Sequence, residues 1–173
     1  MRHSASSLET WQNCPRLWKA KYVQKLVPYV EHPAAARGTE IHEKLENGIK
    51  TGTPPEDVWT PKGLIESLHR KGAQVEEKMG VDADGQPVAF QSDQAKLRGV
   101  MDVYLPETKR AVVIDWKTGK VRPKKIQADV YTTFARALLG PDTDVAFRFV
   151  YVDQHQTVAL DRDADAPKRI FDL

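Results

Sequence analysis

LRGVMDVYL at residues 97–105 and RAVVIDWK at residues 110–117 are the two stretches that decide the fold of this chain. Both are apolar at consecutive positions, so we expect two strands that are covered on both faces at the centre of a sheet. Each strand carries one acidic residue between apolar neighbours, Asp102 in the first and Asp115 in the second. An unpaired buried carboxylate is costly, so both residues need partners.

The turn between these strands sets the positions of the two carboxylates. We expect Pro106–Lys109 to form a four-residue turn, in which Asp102 lies opposite Val113 and Asp115 is a diagonal neighbour on the same face, roughly 7–8 Å away at the backbone. Lys117 points to that face as well. A two-residue turn would also keep the carboxylates on one face, whereas a three-residue turn would need a bulge. The spacing fits either a structural salt bridge or a catalytic pair.

The hydrophobic pattern around the two strands predicts a single domain of mixed α/β (α+β) class, in which helices cover a small central sheet. A helical part spans residues 1–72, a sheet core spans residues 73–160, and the polar tail 161–173 has no assignment. The predicted helices are 4–21 with a break at Pro15, 35–50, 62–71 and 124–139. The further strands are an alternating stretch with Ala73, Val75 and Met79, residues 87–91 after a turn at Asp84-Gly85, and about 145–152 and 155–160.

Composition excludes several classes of protein. The chain has 173 residues, with 26 Lys and Arg against 24 Asp and Glu, so any basic surface on it must be local. Cys14 is the only cysteine, which excludes an intrachain disulfide, a four-cysteine zinc site and a four-cysteine iron–sulfur cluster. No stretch has the apolar length of a membrane span, and the N-terminus does not have the pattern of a signal peptide. We therefore expect a cytoplasmic protein.

His42 shares one helix face with the apolar residues Leu45 and Ile49. A histidine on such a face is either a satisfied core residue or a metal ligand, and the helix pattern alone leaves both possibilities open. Glu43 and Glu46 make the sequence His-Glu-x-x-Glu, which differs from the zinc-peptidase helix by the missing second histidine. A metallopeptidase is therefore disfavoured.

A basic segment without acidic residues follows Lys117 and leads into the predicted helix 124–139. Cations at a helix N-terminus are unfavourable by about 0.3–1 kcal/mol each, and a bound phosphate would remove that conflict. A solvated loop is the alternative. Gln127 and Tyr131 lie four residues apart beside the apolar face of this helix, where they can reach the strand ends. The cations of the segment are Lys120, Arg122, Lys124 and Lys125.

Taken together, these features resemble the PD-(D/E)XK nuclease superfamily, in particular its RecB-like exonuclease branch from bacteria and phages. The resemblance implies a restriction-endonuclease-like core with a mixed sheet, and metal-dependent hydrolysis of DNA phosphodiester bonds in recombination, repair or phage replication. The segments that carry it are, in order, SASSLETWQNCPRLWKAKY (4–22), GTEIH (38–42), LRGVMD (97–102), VVIDWKTGK (112–120) and QADVY (127–131).

The resemblance also implies roles for individual residues. Asp115 and Lys117 match the (D/E)xK element, and Gln127 and Tyr131 match a Q-x-x-x-Y element that is associated with the active site and DNA. One of Glu76 and Glu77 stands where relatives often carry a glutamate. The implied catalytic residues are Asp102, Asp115 and Lys117, and the implied ligands of Mg²⁺ or Mn²⁺ are His42, Asp102, Asp115 and the backbone carbonyl of Trp116. The implied DNA contacts are Lys120, Arg122, Lys124, Lys125, Gln127 and Tyr131.

The chain departs from part of this branch, because Cys14-Pro15 has no further cysteines to complete an iron–sulfur cluster. We expect DNA as the substrate, no membrane, and either self-association or a recombination or replication partner in place of a helicase motor. The alternatives are a structure-specific or single-strand endonuclease of the same fold, and a DNA-binding or assembly module without turnover.

Overall fold

A computed structural model describes residues 1–28, 30, 33–160 and 165–171. A π-helical turn at Lys19–Val23 extends the second helix, and a short 3₁₀ turn at Val152–Gln154 follows the fifth strand. The helices are α1 (Ala5–Asn13), α2 (Pro15–Trp18), α3 (Pro33–Thr51), α4 (Leu64–Arg70), α5 (Lys125–Leu139) and α6 (Ala166–Phe171). The strands are β1 (Gln74–Val81), β2 (Pro87–Val88), β3 (Leu97–Glu107), β4 (Arg110–Lys117), β5 (Asp144–Tyr151) and β6 (Gln156–Leu160).

The six strands form one mixed sheet in the order β2-β1-β3-β4-β5-β6. β4 and β5 are parallel and are joined through α5, and the other pairings between the described strands are antiparallel. The predicted mixed α+β class is therefore confirmed, with β3 and β4 at the centre as their two-sided apolar pattern required. The division of residues 1–173 into the parts of a single domain stays a prediction.

Helices cover both faces of the sheet. On one face, α1, α5 and α6 pack on the sheet in a cluster that we call the α5-side core. On the other face, α3 and α4 pack on it in the α3-side core. Each central strand contributes to both cores: in β4, Val113 belongs to the α5-side core and Ile114 to the α3-side core.

The predicted turn between β3 and β4 was wrong in length. Glu107 pairs with Arg110, so the turn has two residues, and Lys109 takes the left-handed conformation (φ 60°) that closes it. Val113 consequently lies opposite Tyr104 rather than opposite Asp102. The strand continues two residues further than predicted, and this shift places Asp102 and Asp115 at directly opposed positions.

The ends of several other elements are defined by the structure. The N-cap of α1 is Ser4, whose hydroxyl accepts a hydrogen bond from Ser7 N at 3.3 Å, and Cys14 caps α2 through its Sγ atom. β2 is shorter than residues 87–91. The tail contains α6, which Arg169 holds to Asp129 of α5 by an ion pair at 2.6 Å; residues 161–164 and 172–173 lie outside the described residues. No helix in the described part of the chain is long and apolar enough to cross a membrane.

Gly99 in β3 allows α5 to approach the sheet closely. A Cβ atom at this position would lie 2.8 Å from Cε2 of Phe134 and 3.4 Å from Cε1 of Tyr131. Phe134 is fully buried, so its ring has little room to move away. Phe134 and Tyr131 both belong to α5, which also carries Gln127, so this contact fixes the helix that reaches the candidate site.

We expect Gly99→Ala to destabilise the fold by about 1–3 kcal/mol, because the added methyl group overpacks the contact with Phe134. Urea denaturation measures the change. Gly38→Ala in α3 is the matched control: its Cβ would meet Thr118 at an ordinary 3.8 Å. Because alanine favours a helix over glycine by about 0.5–1 kcal/mol, the control should be neutral or stabilising. Equal stability of Gly99→Ala and the wild type would contradict this packing.

Candidate functional site

Three carboxylates stand side by side on three adjacent strands. Glu76 of β1 and Asp102 of β3 occupy the positions between the pairs Val75–Val103 and Glu77–Met101. Asp115 of β4 lies one residue beyond the last β3–β4 pair, Val103–Ile114, and is opposed to Asp102 in that register. The row therefore lies where the β3–β4 ladder ends.

Side-chain alternation breaks along this row. In β3, Met101 belongs to the α5-side core, whereas Val103, two residues on, belongs to the α3-side core. Residues two apart in a regular strand point to the same face. Glu76 has a φ of 52°, a left-handed conformation that is uncommon outside glycine. The irregular backbone of both strands allows Glu76 and Asp102 to reach a residue from α3.

That residue is His42 of α3, which contacts both β3 and β4. Nε2 lies 3.1 Å from the carbonyl oxygen of Trp116, which can only accept, so Nε2 donates this hydrogen bond. In the neutral imidazole, Nδ1 then carries the free lone pair, and it faces Asp102 Oδ2 at 3.6 Å. The His42 side chain remains 30% exposed, so solvent or a ligand can reach it.

Asp102 and Asp115 are held by different partners. Asp102 Oδ2 accepts a hydrogen bond from the Trp116 backbone N–H at 2.8 Å, and Asp115 Oδ2 lies 2.5 Å from Lys117 Nζ. Burial, followed by the charge of Asp115, raises the pKa of Asp102 well above its usual range. Burial also raises the pKa of Asp115, although the Lys117 ammonium opposes that change. Ionised carboxylates are therefore unfavourable here without a further cation.

Gln127 and Tyr131 of α5 lie behind Asp115. Gln127 Nε2 donates to Asp115 Oδ1 at 2.5 Å and also reaches the Tyr131 hydroxyl at 3.3 Å. Tyr131 is only 7% exposed, and burial followed by the negative charge of Asp115 raises its pKa. In this arrangement the pair orients Asp115. Their predicted contact with DNA stays a prediction.

The donor atoms at this site fit a hard divalent cation. One ligand atom from each of His42, Glu76 and Asp102 lies within 4.8 Å of the others. Carboxylate oxygens and an imidazole suit Mg²⁺ or Mn²⁺ better than a soft metal. The fit follows from the electrostatics of the site as well, because a bound cation would relieve the unfavourable charge of the buried carboxylates. Asp115 lies next to this set because it is opposed to Asp102 on the neighbouring strand, and the Trp116 carbonyl lies next to it because it accepts a hydrogen bond from His42.

The residues of the basic segment have separate positions and partners in the structure. Lys124 precedes α5 instead of lying in its first turn, and it forms an ion pair with Glu9 of α1 at 2.7 Å. The Arg122 backbone N–H donates to the Tyr151 hydroxyl at 3.2 Å. Lys120 is exposed in the loop after β4, and Lys125 begins α5. Lys120 and Arg122 therefore lie in the loop between β4 and α5, and Lys124 and Lys125 lie at the N-terminus of α5.

Two features were not predicted from the sequence. The structure selects Glu76 over Glu77, because only Glu76 belongs to the described cluster with His42 and Asp102. Asp153 joins three segments around the site: it accepts from Gly119 N at 2.8 Å and forms a two-pronged ion pair with Arg37 of α3 at 2.6 and 2.8 Å. No spacing in the sequence signals this contact, because its members come from distant segments.

Comparisons with known proteins point to one family. A sequence model of the PD-(D/E)XK nuclease superfamily matches residues 2–83 and 62–169, which together span nearly the whole chain. No curated protein matches the chain. The crystal structure of SSO0001 resembles it with 12% sequence identity and a TM-score of 0.47, over 95% of this chain and 65% of that chain. This chain thus spans just under two thirds of SSO0001, and the likeness is too distant to bear on function.

We expect Asp102→Asn to stabilise the metal-free protein, because it removes a charge that burial and Asp115 both disfavour, while its amide oxygen can still accept from Trp116 N. The gain should be on the order of 1 kcal/mol, roughly 2–4 °C in Tm for a chain of this size. Mn²⁺ should raise the Tm of the wild type and not that of the variant.

Thermal unfolding in chelator and in Mn²⁺ measures both effects. Asp84→Asn, which changes an exposed carboxylate in the β1–β2 turn, is the control and should respond to Mn²⁺ as the wild type does. A full Mn²⁺ response in Asp102→Asn would contradict the assignment of this ligand.

Proposed function

Because the chain belongs to the PD-(D/E)XK nuclease superfamily, we propose that it is a Mg²⁺- or Mn²⁺-dependent DNA exonuclease of the RecB-like type. Membership implies a hydrolase of phosphodiester bonds that uses a divalent metal and acts on nucleic acid. The observation that carries the proposal is the cluster of His42, Glu76 and Asp102, with the Asp115–Lys117 pair directly beside it. DNA as the substrate, the metal's identity and the exonuclease mode are parts of the proposal.

His42, Glu76, Asp102 and Asp115 would hold the metal, with the Trp116 carbonyl as a further ligand. The bound cation would polarise the scissile phosphate and lower the pKa of the attacking water. Asp102 is fixed by its hydrogen bond from Trp116 N, and Asp115 is fixed by Gln127. Such fixed ligands supply a preorganised site, because they do not have to reorient when substrate arrives.

Lys117 is the residue that would act on the reacting groups. Its ammonium lies beside Asp115 and is 25% exposed, so it can face a phosphate while it remains held. It can donate a hydrogen bond to the attacking water or to an oxygen on which negative charge develops. The Phe149 ring lies 5.5 Å from Nζ and limits the positions that the side chain can take.

Cations on the α5 side of the site would hold the flanking phosphates. Lys120 and Arg122 lie in the loop that Asp153 fixes through Gly119. Contacts of this kind bind the backbone and do not read sequence. A sequence-specific nuclease is therefore disfavoured. The same reasoning supports a role in recombination, repair or phage replication, where DNA of any sequence is processed, either by a self-associated protein or with a partner.

Lys117→Ala should lower kcat by about 10²–10³-fold on end-labelled linear DNA and leave Mn²⁺ binding intact, because the ammonium acts on the reaction and is not a metal ligand. Lys120→Ala is the matched control and should raise KM with kcat unchanged. Steady-state kinetics separate the two effects. If Lys117→Ala raises only KM, Lys117 is a phosphate clamp.

Asp102→Asn should abolish cleavage, and cleavage by the wild type in chelator would contradict metal dependence.

Linear DNA should be degraded progressively from its ends while covalently closed circles persist. The reason is that contacts with the backbone alone give no means of selecting an internal site in an intact duplex. Parallel digestion of both substrates in Mg²⁺ and in Mn²⁺ tests this expectation on agarose gels. Linearisation of closed circles as fast as linear DNA is digested would replace the exonuclease with a structure-specific or single-strand endonuclease of the same fold.

A further inference from the structure

The N-terminal helices carry a surface in which aromatic and cationic residues alternate. Residues 16–22 read RLWKAKY, and no acidic residue occurs between positions 10 and 30. Residues 10–30 contain four cations, Arg16, Lys19, Lys21 and Lys25, while the other 152 residues contain 22 cations against 24 acids. The positive net charge of the chain is therefore concentrated in this segment.

The aromatic side chains of this surface form a continuous series. The rings of Trp11 and Trp18 meet edge to face with centroids 5.0 Å apart, and Tyr22 follows at 6.5 Å from Trp18. Trp11 remains 36% exposed. We call Trp11, Trp18, Tyr22, Arg16, Lys19 and Lys21 the N-terminal platform.

The cations of the platform remain available to a ligand. Arg16, Lys19 and Lys21 of the platform, and Lys25 beyond it, are exposed, and none of these four residues forms an ion pair within the part of the chain that the structure describes. Lys21 lies over the Tyr22 ring at 5.3 Å, which keeps its charge beside an aromatic face. Charge of this kind, interleaved with rings, is the arrangement that proteins use to bind single strands.

A groove beside the platform has room for a base. It has a volume of about 420 Å³, and its lining includes Trp11, Trp18, Leu97, Phe171 and the exposed Lys96. This volume falls within the range of about 300–1,000 Å³ that is typical of sites for small organic groups.

The platform is connected to the candidate site through direct contacts. Glu9, two residues before Trp11, forms an ion pair with Lys124 at the start of α5, and Gln127 in the first turn of α5 binds Asp115. The groove along α3 contains His42 and Glu76 of the candidate site and is bordered by Glu43 and Glu46. Residues 10–30, in contrast, carry cations and no acid, so electrostatics favour a path of the substrate backbone from the site toward the platform.

We propose that the N-terminal platform binds a single-stranded segment of the substrate by stacking its bases on Trp11 and Tyr22, while Arg16, Lys19 and Lys21 pair with its phosphates. This inference rests on the proposed function, since it names the form of DNA that the site receives. The exposed Leu17 and Val23 would equally suit a protein partner. Lysines, however, are depleted in protein interfaces, and the four cations favour nucleic acid.

Binding of labelled oligo(dT) by the full chain in chelator tests the platform without any cleavage. Trp11→Leu, which keeps apolar bulk and removes the aromatic face, should weaken binding by about 5- to 150-fold. Trp11→Phe should retain most of the affinity, and a duplex of the same length should bind both variants within twofold of the wild type. Unchanged oligo(dT) affinity in Trp11→Leu would overturn the proposal.

The cations give a second, independent measurement. Lys21→Gln should reduce the slope of log affinity against log salt by about 0.7, the value for one phosphate contact on a single strand, whereas Lys62→Gln on the exposed loop before α4 should leave it unchanged. Equal slopes in the two variants would overturn the proposal. If the wild type shows no metal-dependent cleavage of DNA, the proposed nuclease function is refuted instead, so the two failures are distinguishable.

Discussion

The repulsion among Glu76, Asp102 and Asp115 is the constraint on which the rest of this structure depends. Asp102 and Asp115 are costly to bury, the half-buried Glu76 adds a third negative charge, and Lys117 lies directly against Asp115 alone of these three. The central strands tolerate this cost because two apolar cores hold them from both faces. The site therefore has an excess of negative charge, which a divalent cation of the kind that this superfamily uses would neutralise.

The surroundings of the site are built to keep the carboxylates in place. Trp116 connects two parts of it, since its N–H binds Asp102 and its carbonyl accepts from His42. On the other face, the close contact at Gly99 fixes α5, so that Gln127 can hold Asp115. Side chains from α3 and α5 thus reach the same site where the β3–β4 ladder ends. This arrangement is possible because the two helices cover opposite faces of one sheet.

Much of the fold could be predicted from the sequence, because β3, β4 and the buried face of α5 have strong hydrophobic periodicity. The register could not be predicted, because Glu107 continues the strand and the turn has two residues. The sequence does not distinguish Glu76 from Glu77, because a left-handed residue within a strand does not change the hydrophobic pattern. Gln127 could be placed on α5, but its hydrogen bond to Asp115 depends on how the helix packs on the sheet.

The central claim is that these carboxylates and His42 bind one divalent cation. Anomalous diffraction from crystals soaked in Mn²⁺ tests it most directly, since the signal locates the metal without any assumption about activity. The account predicts a Mn²⁺ peak within coordination distance of Asp102, Glu76 and His42. A peak elsewhere, or no peak at a Mn²⁺ concentration that supports cleavage, would contradict it.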